Sequence, residues 1–343
     1  MRVEETIMQE AGRAVTKIVM NQLRWLVALT ACLAVAAPRG RADGVQLTRH
    51  GDQVEITIAN QPFATYHFGR DVAKPYMFPI RTASGIIITR SFPMLTTVTN
   101  DDRDEPHQRA LFFAHGNING LDFWGEAAFA KWSGPSHPFG RTVFRELQAL
   151  QSGEDFGVLR ALFDLTGPGD KPIGEEVQSY RFSGSPALRV IDCTFTLMAG
   201  HGPLKMGDTK EGTFAIRLAK FLDSPPSRMV NSNGAEGEKQ IWGKRANWVN
   251  YDGESQGRTV GVAIFDNPHN LRHPTTWHAR SYGLFAANPF GLREFTRNPK
   301  ADGSYTIAPG GSLTLRYRVL IHEGNFRQAH VANAWQRYAA QNQ

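Results

Sequence analysis

Alternation with a period of two, held over eleven residues, is the feature that most limits what this chain can fold into. Between Ser312 and His322, Leu313, Leu315, Tyr317, Val319 and Ile321 fall on one face and mostly polar residues on the other. A helix turns by 3.6 residues and cannot keep such a set together, so the segment predicts a half-buried strand. Val54–Ile58, Ile86–Thr89, Gln178–Phe182, Val190–Leu197, Phe214–Leu218 and Val260–Phe265 read the same way, with Gly, Pro, Asn and Asp clusters between them. Helical spacing is convincing only near the C-terminus, over 326–340, where Phe326, His330, Ala334 and Tyr338 recur. Many strands without alternating helices predict an all-β fold, a large antiparallel β-sandwich with a short C-terminal helix. Leu222–Glu238, with Pro225-Pro226, reads as a loop insertion, and 43–343 as a single domain.

The N-terminus reads as an address. Arg24 precedes an apolar run from Trp25 to Ala37, followed by Pro38-Arg-Gly-Arg. Thirteen residues are too few to span a bilayer comfortably, whereas a basic start, a short apolar core and small residues at Ala34 and Ala36 fit a signal peptide. The expectation is therefore an over-extended gene start at 1–19, a signal peptide at 20–42, and an exported mature chain, periplasmic or extracellular. The minority reading takes Leu29-Thr-Ala-Cys32 as a lipobox with Cys32 as a lipid anchor. Residues 1–42 carry six Lys/Arg and three Asp/Glu, which leaves 32 basic and 29 acidic residues and a net charge of +3 beyond them. With no basic run interleaved with aromatics, no nucleic-acid partner is expected, nor a transmembrane segment after signal cleavage. Cys193, in an alternating strand, reads as a buried small apolar residue.

Chemistry concentrates between the strands. Four segments are dense in His, Arg, Trp and carboxylates: Asp104–Trp124, Gly207–Gly212, Trp242–Tyr251 and Trp277–Gly291. Aromatic rings offer flat apolar faces, and Arg, Asn, Asp and His offer directional hydrogen bonds. A sugar presents a C–H face and a rim of hydroxyls, so the mixture suits carbohydrate, an oligosaccharide or a glycoside. His107 and His278 are the candidate proton shuttles, with Asp208 or Glu211 as carboxylate partner. Arg109, His115, Asp122, Trp124, Lys210, Trp277, Arg280, Tyr282 and Asn288 are the candidate substrate-binding residues. His269 and His273 have a four-residue spacing, but Pro268 and Pro274 bracket them and predict a loop. No cofactor is expected, and no metal ligands are assigned; a divalent metal held by His107, His115 and His278 is the alternative.

Lys74–Thr82, His107–Trp124, Gly207–Gly212 and Trp277–Gly291, in that order, resemble a secreted bacterial family often labelled PmoA-like or "methane oxygenase". Members of that family commonly read Asp-His-Pro-His-His-Arg where this chain has Asp104-Glu-Pro-His107-Gln108-Arg109. His107 and Arg109 keep the pattern, and the two lost histidines weaken a His-cluster metal site. More distantly, His115-Gly116…Gly120-Leu-Asp122-Phe-Trp124 resembles a segment of the galactose mutarotase-like (aldose 1-epimerase) superfamily, whose members are β-supersandwiches that handle sugars. That resemblance implies a sugar-binding His115. His278 ahead of Tyr282 and Asn288 is similar to the superfamily's proton-donating His, and its catalytic Glu has no clear counterpart.

Three functions fit these readings. The first is an exported enzyme acting at a glycosidic or anomeric centre by His/carboxylate acid–base chemistry. The second is a non-catalytic carbohydrate-binding protein of the envelope, and the third a metal-dependent hydrolase or oxidoreductase.

Overall fold

In the computed structural model, residues 44–133 and 137–341 are described. The expected gene-start extension at 1–19 and signal peptide at 20–42, including Cys32, lie outside the described residues, and none of the described helices is long and apolar enough to cross a membrane. The described residues form one compact unit.

Two eight-stranded antiparallel sheets make up this unit. The first contains β1 (Val45–His50), β2 (Gln53–Ile58), β3 (Gln61–His67), β4 (Tyr76–Ile80), β5 (Leu111–His115), β11 (Gly212–Arg217), β15 (Thr276–Ala279) and β16 (Leu284–Asn288). They run in the order β1-β2-β3-β4-β5-β11-β16-β15. The second contains β6 (Arg141–Gln151), β7 (Gly157–Thr166), β8 (Pro172–Ser185), β9 (Leu188–Met198), β12 (Arg228–Asn231), β13 (Trp248–Ser255), β14 (Arg258–Asp266) and β18 (Ser312–Glu323). Their order is β12-β13-β14-β18-β9-β8-β7-β6. A small pair, β10 (Leu204–Met206) with β17 (Tyr305–Ile307), stands apart.

The strand with the longest alternation lies inside the second sheet, between β14 and β9, where one of its faces can be buried. Phe195 of β9 stacks on Phe113 of β5 at 4.1 Å between ring centroids and tilts against Phe214 of β11 at 5.1 Å. Phe214 stacks in turn on Tyr317 of β18 at 4.9 Å. These four rings, all buried, join the middle strands of both sheets, and Cys193 is buried in the same layer. The sandwich is therefore held by interdigitated inward-facing side chains from both sheets.

Three expectations need correction. Ile86–Thr89 forms only isolated bridges, Arg81 with Ile87 and Thr89 with Leu218: it folds back on the residue after β4 and reaches the residue after β11, beyond the start of β5. The segment from Leu222 to Glu238 contains a strand, β12, paired with β13. The C-terminal helix is Val331–Ala340 rather than 326–340; the preceding residues form a turn in which Asn325 Oδ1 accepts from the backbone of Arg327 and Gln328, and His330 has a φ of 51°. A left-handed residue at that point separates the turn from the helix.

Phe195 touches rings from both sheets, so Phe195→Ala is expected to cost about 3–5 kcal/mol in urea unfolding. A loss below about 1 kcal/mol would show that the stacked rings do not bind the sheets together.

Candidate active site

On the first sheet, odd and even positions separate cleanly. Phe113, Phe214, Ile216, Trp277, Phe285 and Ala287 face the sandwich interior, while Phe112, Ala114, Ala215, Leu284 and Ala286 form a second cluster on the outer face. Strand pairing places Phe112 opposite Ala215, Ala215 opposite Ala286, and Ala286 opposite His278. Two alanines between two ring side chains make a narrow trough on the outer face, running from β5 to the edge strand β15, with both alanines buried beneath their neighbours. Trp124 packs on Phe112 at 4.9 Å and raises one wall, and His278 forms the other.

The loop before β11 carries the carboxylate beside this trough, and it is tied down on every side. His115 Nε2 meets the Gly207 carbonyl at 2.8 Å. Asn288 Nδ2 donates to the carbonyls of Thr209 and Lys210, both at 2.9 Å, and His278 Nδ1 lies 3.0 Å from the Lys210 carbonyl. Asp208 accepts from the backbone of Arg293 at 3.0 Å and of Gly303 at 2.5 Å. Glu294 Oε2 accepts the Lys210 amide at 2.7 Å, and the Gly116 amide donates to the Glu211 carbonyl at 2.7 Å. Position 116 must be glycine for this approach, because a Cβ there would lie 2.9 Å from the Glu211 Cβ. With the loop's backbone so engaged, the Glu211 side chain is what it presents, and its carboxylate accepts from Lys210 Nζ at 2.6 Å.

Electrostatics then divides the labour. Burial alone would raise Glu211, but His278 and Lys210, with His107 further off, outweigh it and hold the carboxyl below its usual range. Of these, the Lys210 ammonium is the one that stays charged at neutral pH. Burial pushes His278 down to about 4, and burial with the nearby Lys74 pushes His107 down to about 3. Both rings are therefore neutral at pH 7. Because a carbonyl can only accept, the His278 proton sits on Nδ1 and Nε2 keeps its lone pair. Glu105 moves the other way. Burial and the charges of Glu211 and Asp104 raise it, and its Oε2 lies 3.5 Å from His107 Nε2.

Beside the Nε atoms of Arg217 and Arg280, three neutral side chains at this face have a buried polar atom without a partner within the protein: His107 Nδ1, Trp124 Nε1 and Thr213 Oγ1. Thr213 lies opposite Ala114 on the strand that begins beside Glu211. Buried polar groups are nearly always satisfied, so these three are where a hydroxylic ligand or ordered water would bond.

Glu211, His107, His278, Trp124, Lys210, Arg280 and Tyr282 are thus brought to one region. Arg280 lies over the Tyr282 ring at 5.5 Å, and Arg217, held by Gln108 Oε1 at 2.7 Å, lies over it at 4.5 Å. The other candidates are placed elsewhere. Asp208 is engaged by two backbone amides and cannot face a substrate as a free carboxylate. His115 and Asn288 are fully buried clamps of the loop, and Asp122 fixes the turn that carries Trp124 by accepting from the amides of Trp124 and Gly125, both at 2.9 Å. Trp277 points into the sandwich, where Nε1 donates to the Ala246 carbonyl at 2.9 Å. Arg109 is spent on Glu126, at 2.8 and 3.0 Å, and the buried Lys74 Nζ joins them 3.1 Å from the same carboxylate.

Glu105, Thr213, Glu126 and Lys74 were not singled out by residue type. Glu105 and Lys74 fall inside the dense or motif-bearing segments, but a charged residue beside a proline gives no sign of which neighbours it will meet. Among the described residues, no group of three or more His, Cys, Asp or Glu is gathered closely enough to hold a metal ion.

A family model described as "Family of unknown function (DUF6807)" matches residues 53–336. The chain belongs to that family. The family's description carries no activity and says nothing of the PmoA-like label. No curated protein matches. Solved structures with a similar layout include an alpha-galactosidase from Lactobacillus brevis, with 11% identity over 83% of this chain and 40% of that one, at a TM-score of 0.39. This chain therefore spans well under half of the galactosidase. A galactose mutarotase-like protein from Lactobacillus casei matches at 9% identity over 81% and 100% of the two chains, with a TM-score of 0.36. A galactose mutarotase related enzyme from Lactobacillus acidophilus matches at 8%, over 81% and 97%, with a TM-score of 0.31. Likeness at this level carries no statement about the trough.

Glu126 supplies the test of this region's packing. Burial would raise its pKa, yet Lys74 and Arg109 hold it below the usual range. A carboxyl depressed in the folded state contributes stability above its unfolded pKa, and loses it as pH falls through the lower folded value. Glu126→Gln, which strands the buried Lys74 charge, is expected to cost about 3–5 kcal/mol at pH 7 and to flatten the acid limb of stability against pH. Unchanged stability at pH 7 in urea titrations would contradict this reading.

Proposed function

We propose that this family member is an exported carbohydrate-active enzyme that performs acid–base chemistry at an anomeric or glycosidic centre in the trough. One observation carries the reading: an ionised carboxylate, Glu211, is held rigidly beside two neutral histidines at a face with aromatic walls and unpaired hydrogen-bonding atoms. Tyr282, the partly exposed ring of this region, lies over the buried alanines and the Phe112 and Trp124 rings, and its face suits the C–H face of a sugar. His107 Nδ1, Trp124 Nε1, Thr213 Oγ1 and the lone pair of His278 Nε2 suit its hydroxyls.

The proton traffic follows from the two opposed carboxyl groups. Glu211, ionised, takes a proton from the anomeric or attacking hydroxyl. Glu105, its pKa raised, returns a proton to the departing oxygen, directly or through His107. Two carboxyls pushed apart by their surroundings are the usual source of an acid and a base at one pH. His278, neutral and with its Nδ1 proton committed to the loop, holds a substrate hydroxyl and positions Lys210, rather than donating the proton itself. Export rests on Arg24 and the apolar run Trp25–Ala37, and N-terminal sequencing of secreted material should begin near residues 37–43.

Time-resolved proton NMR with a panel of sugars, glycosides and acidic oligosaccharides tests the reading through the anomeric signals. New or relaxing signals are expected with the wild type, and a rate about 10²–10⁴-fold lower with Glu211→Gln at unchanged stability. Line broadening without turnover would make the trough a binding site only. The pH profile of kcat/KM should be a bell on the acid side of neutrality, rising as Glu211 ionises and falling as Glu105 loses its proton. A plateau that persists through pH 8 would remove Glu105 from the role of acid.

A further inference from the structure

Next to the trough lies a second cleft, of about 670 Å³. Trp242 and Phe295 form its apolar part, and Lys239, Lys244, Arg280 and Arg297 its charged part. It adjoins the site through His278, whose ring meets Trp242 edge-on at 6.4 Å and Phe295 at 6.2 Å. Arg280 belongs to both places, since it lines the cleft and also lies over Tyr282.

The polar groups here are almost all donors. Glu238 is the carboxylate in the lining, and it is engaged: Oε1 lies 3.4 Å from Arg280 Nη1, and Oε2 accepts the Ser281 amide at 2.7 Å. Lys239, Lys244 and Arg297 have no carboxylate partner among the described residues, so three exposed cations face the cleft without a counter-charge. Deeper in, two buried donors, Trp242 Nε1 and Arg280 Nε, have no acceptor. Indole, guanidinium and ammonium groups can donate but not accept, so the complementary ligand must be rich in acceptors and negatively charged. Exposed lysines alone would mean little. Two buried N–H groups without acceptors, beside an aromatic ring and next to the acid–base site, mark a place where a ligand's oxygen atoms belong.

We infer that this cleft receives the acidic group of the substrate, a uronate carboxylate or a sulfate ester, and that the trough acts on an anionic oligosaccharide. The inference rests on the carbohydrate reading above and narrows it to a substrate class. The separation matters chemically: a negative charge seated against Trp242 and the cations is kept away from the Glu211 carboxylate, which would repel it.

Calorimetric titration of the purified Glu211→Gln protein, which holds ligand without turning it over, tests this with three probes: trigalacturonate, a sulfated disaccharide and neutral maltotriose. At least one acidic probe should bind about tenfold or more tighter than maltotriose, and the better one identifies the source of the charge. The double change Lys244→Gln, Arg297→Gln, at exposed positions outside the acid–base site, should remove about tenfold of that affinity and leave maltotriose unaffected. Trp242→Phe keeps a ring but loses the N–H, and should weaken the acidic probe while its melting temperature stays within a few degrees. Equal binding of neutral and acidic probes, no binding of either acidic probe, or indifference of the acidic probe to the double change would each overturn the inference. So would inorganic sulfate binding as tightly as the sulfated sugar, which would make the cleft a simple anion site. The two readings fail separately. Turnover of neutral sugars by the wild type with an indifferent double variant sinks the cleft alone, whereas acidic probes bound through Lys244 and Arg297 without turnover sink the acid–base reading alone.

Discussion

The Lys210 carbonyl is the point on which the site depends. It accepts from Asn288 Nδ2, from His278 Nδ1 and from the Gly212 amide, so three groups converge on one oxygen just ahead of Glu211. That oxygen fixes the tautomer of His278, and hence which of its nitrogens faces the trough. It also fixes the chain direction into β11, and hence where the Glu211 carboxylate emerges. Each contact is an ordinary hydrogen bond worth about 1 kcal/mol. Their effect comes from two of them being made by side chains of neighbouring strands, His278 of β15 and Asn288 of β16, whose positions the sandwich sets.

The same arrangement explains why so many polar residues here are structural. A loop that crosses the end of a sheet carries amides and carbonyls that must be satisfied. Asp208, His115 and Asn288 satisfy them, and Asp122 does so for the turn before Trp124. Seen from composition, these residues are indistinguishable from catalytic ones, because both kinds of work need directional hydrogen bonds. What separates them is whether a polar atom remains once the backbone has been served. Glu211, His107, Thr213 and Trp124 keep one; Asp208 and Asn288 do not, and His115, which holds the loop through Nε2, keeps only a buried Nδ1.

Much of the fold was legible in the sequence for one reason: period-two alternation survives wherever a sheet has one buried face. Ser312–His322 and Val190–Leu197 were visible in this way, whereas Val260–Phe265, buried on both faces, showed as a continuous apolar run. Ile86–Thr89 misled because β-branched residues also suit an extended segment that makes only isolated bridges to the ends of β4 and β11, and β12 was hidden within a loop-like composition. The site was legible as four dense segments but not as roles. Trp277 and His278 are adjacent in sequence, yet alternation sends one into the core and the other to the outer face. Arg109 reads as a ligand-binding cation until Glu126, seventeen residues on, is seen to consume it. Pairings of that kind depend on tertiary neighbours, which spacing does not encode. The alanines at 215 and 286 gave no signal, although their small size is what lets Tyr282 and its neighbours pack close over the sheet.

The central claim is that one set of surroundings drives Glu211 and Glu105 in opposite directions and so makes a base and an acid from two identical side chains. Carbon-13 NMR titration of the glutamate carboxyl groups, assigned with Glu211→Gln and Glu105→Gln, measures this without any substrate. The account predicts that Glu211 titrates below, and Glu105 above, the ordinary glutamate value, with Glu105 falling back towards it in Glu211→Gln. Two ordinary values, or the reverse order, would contradict it.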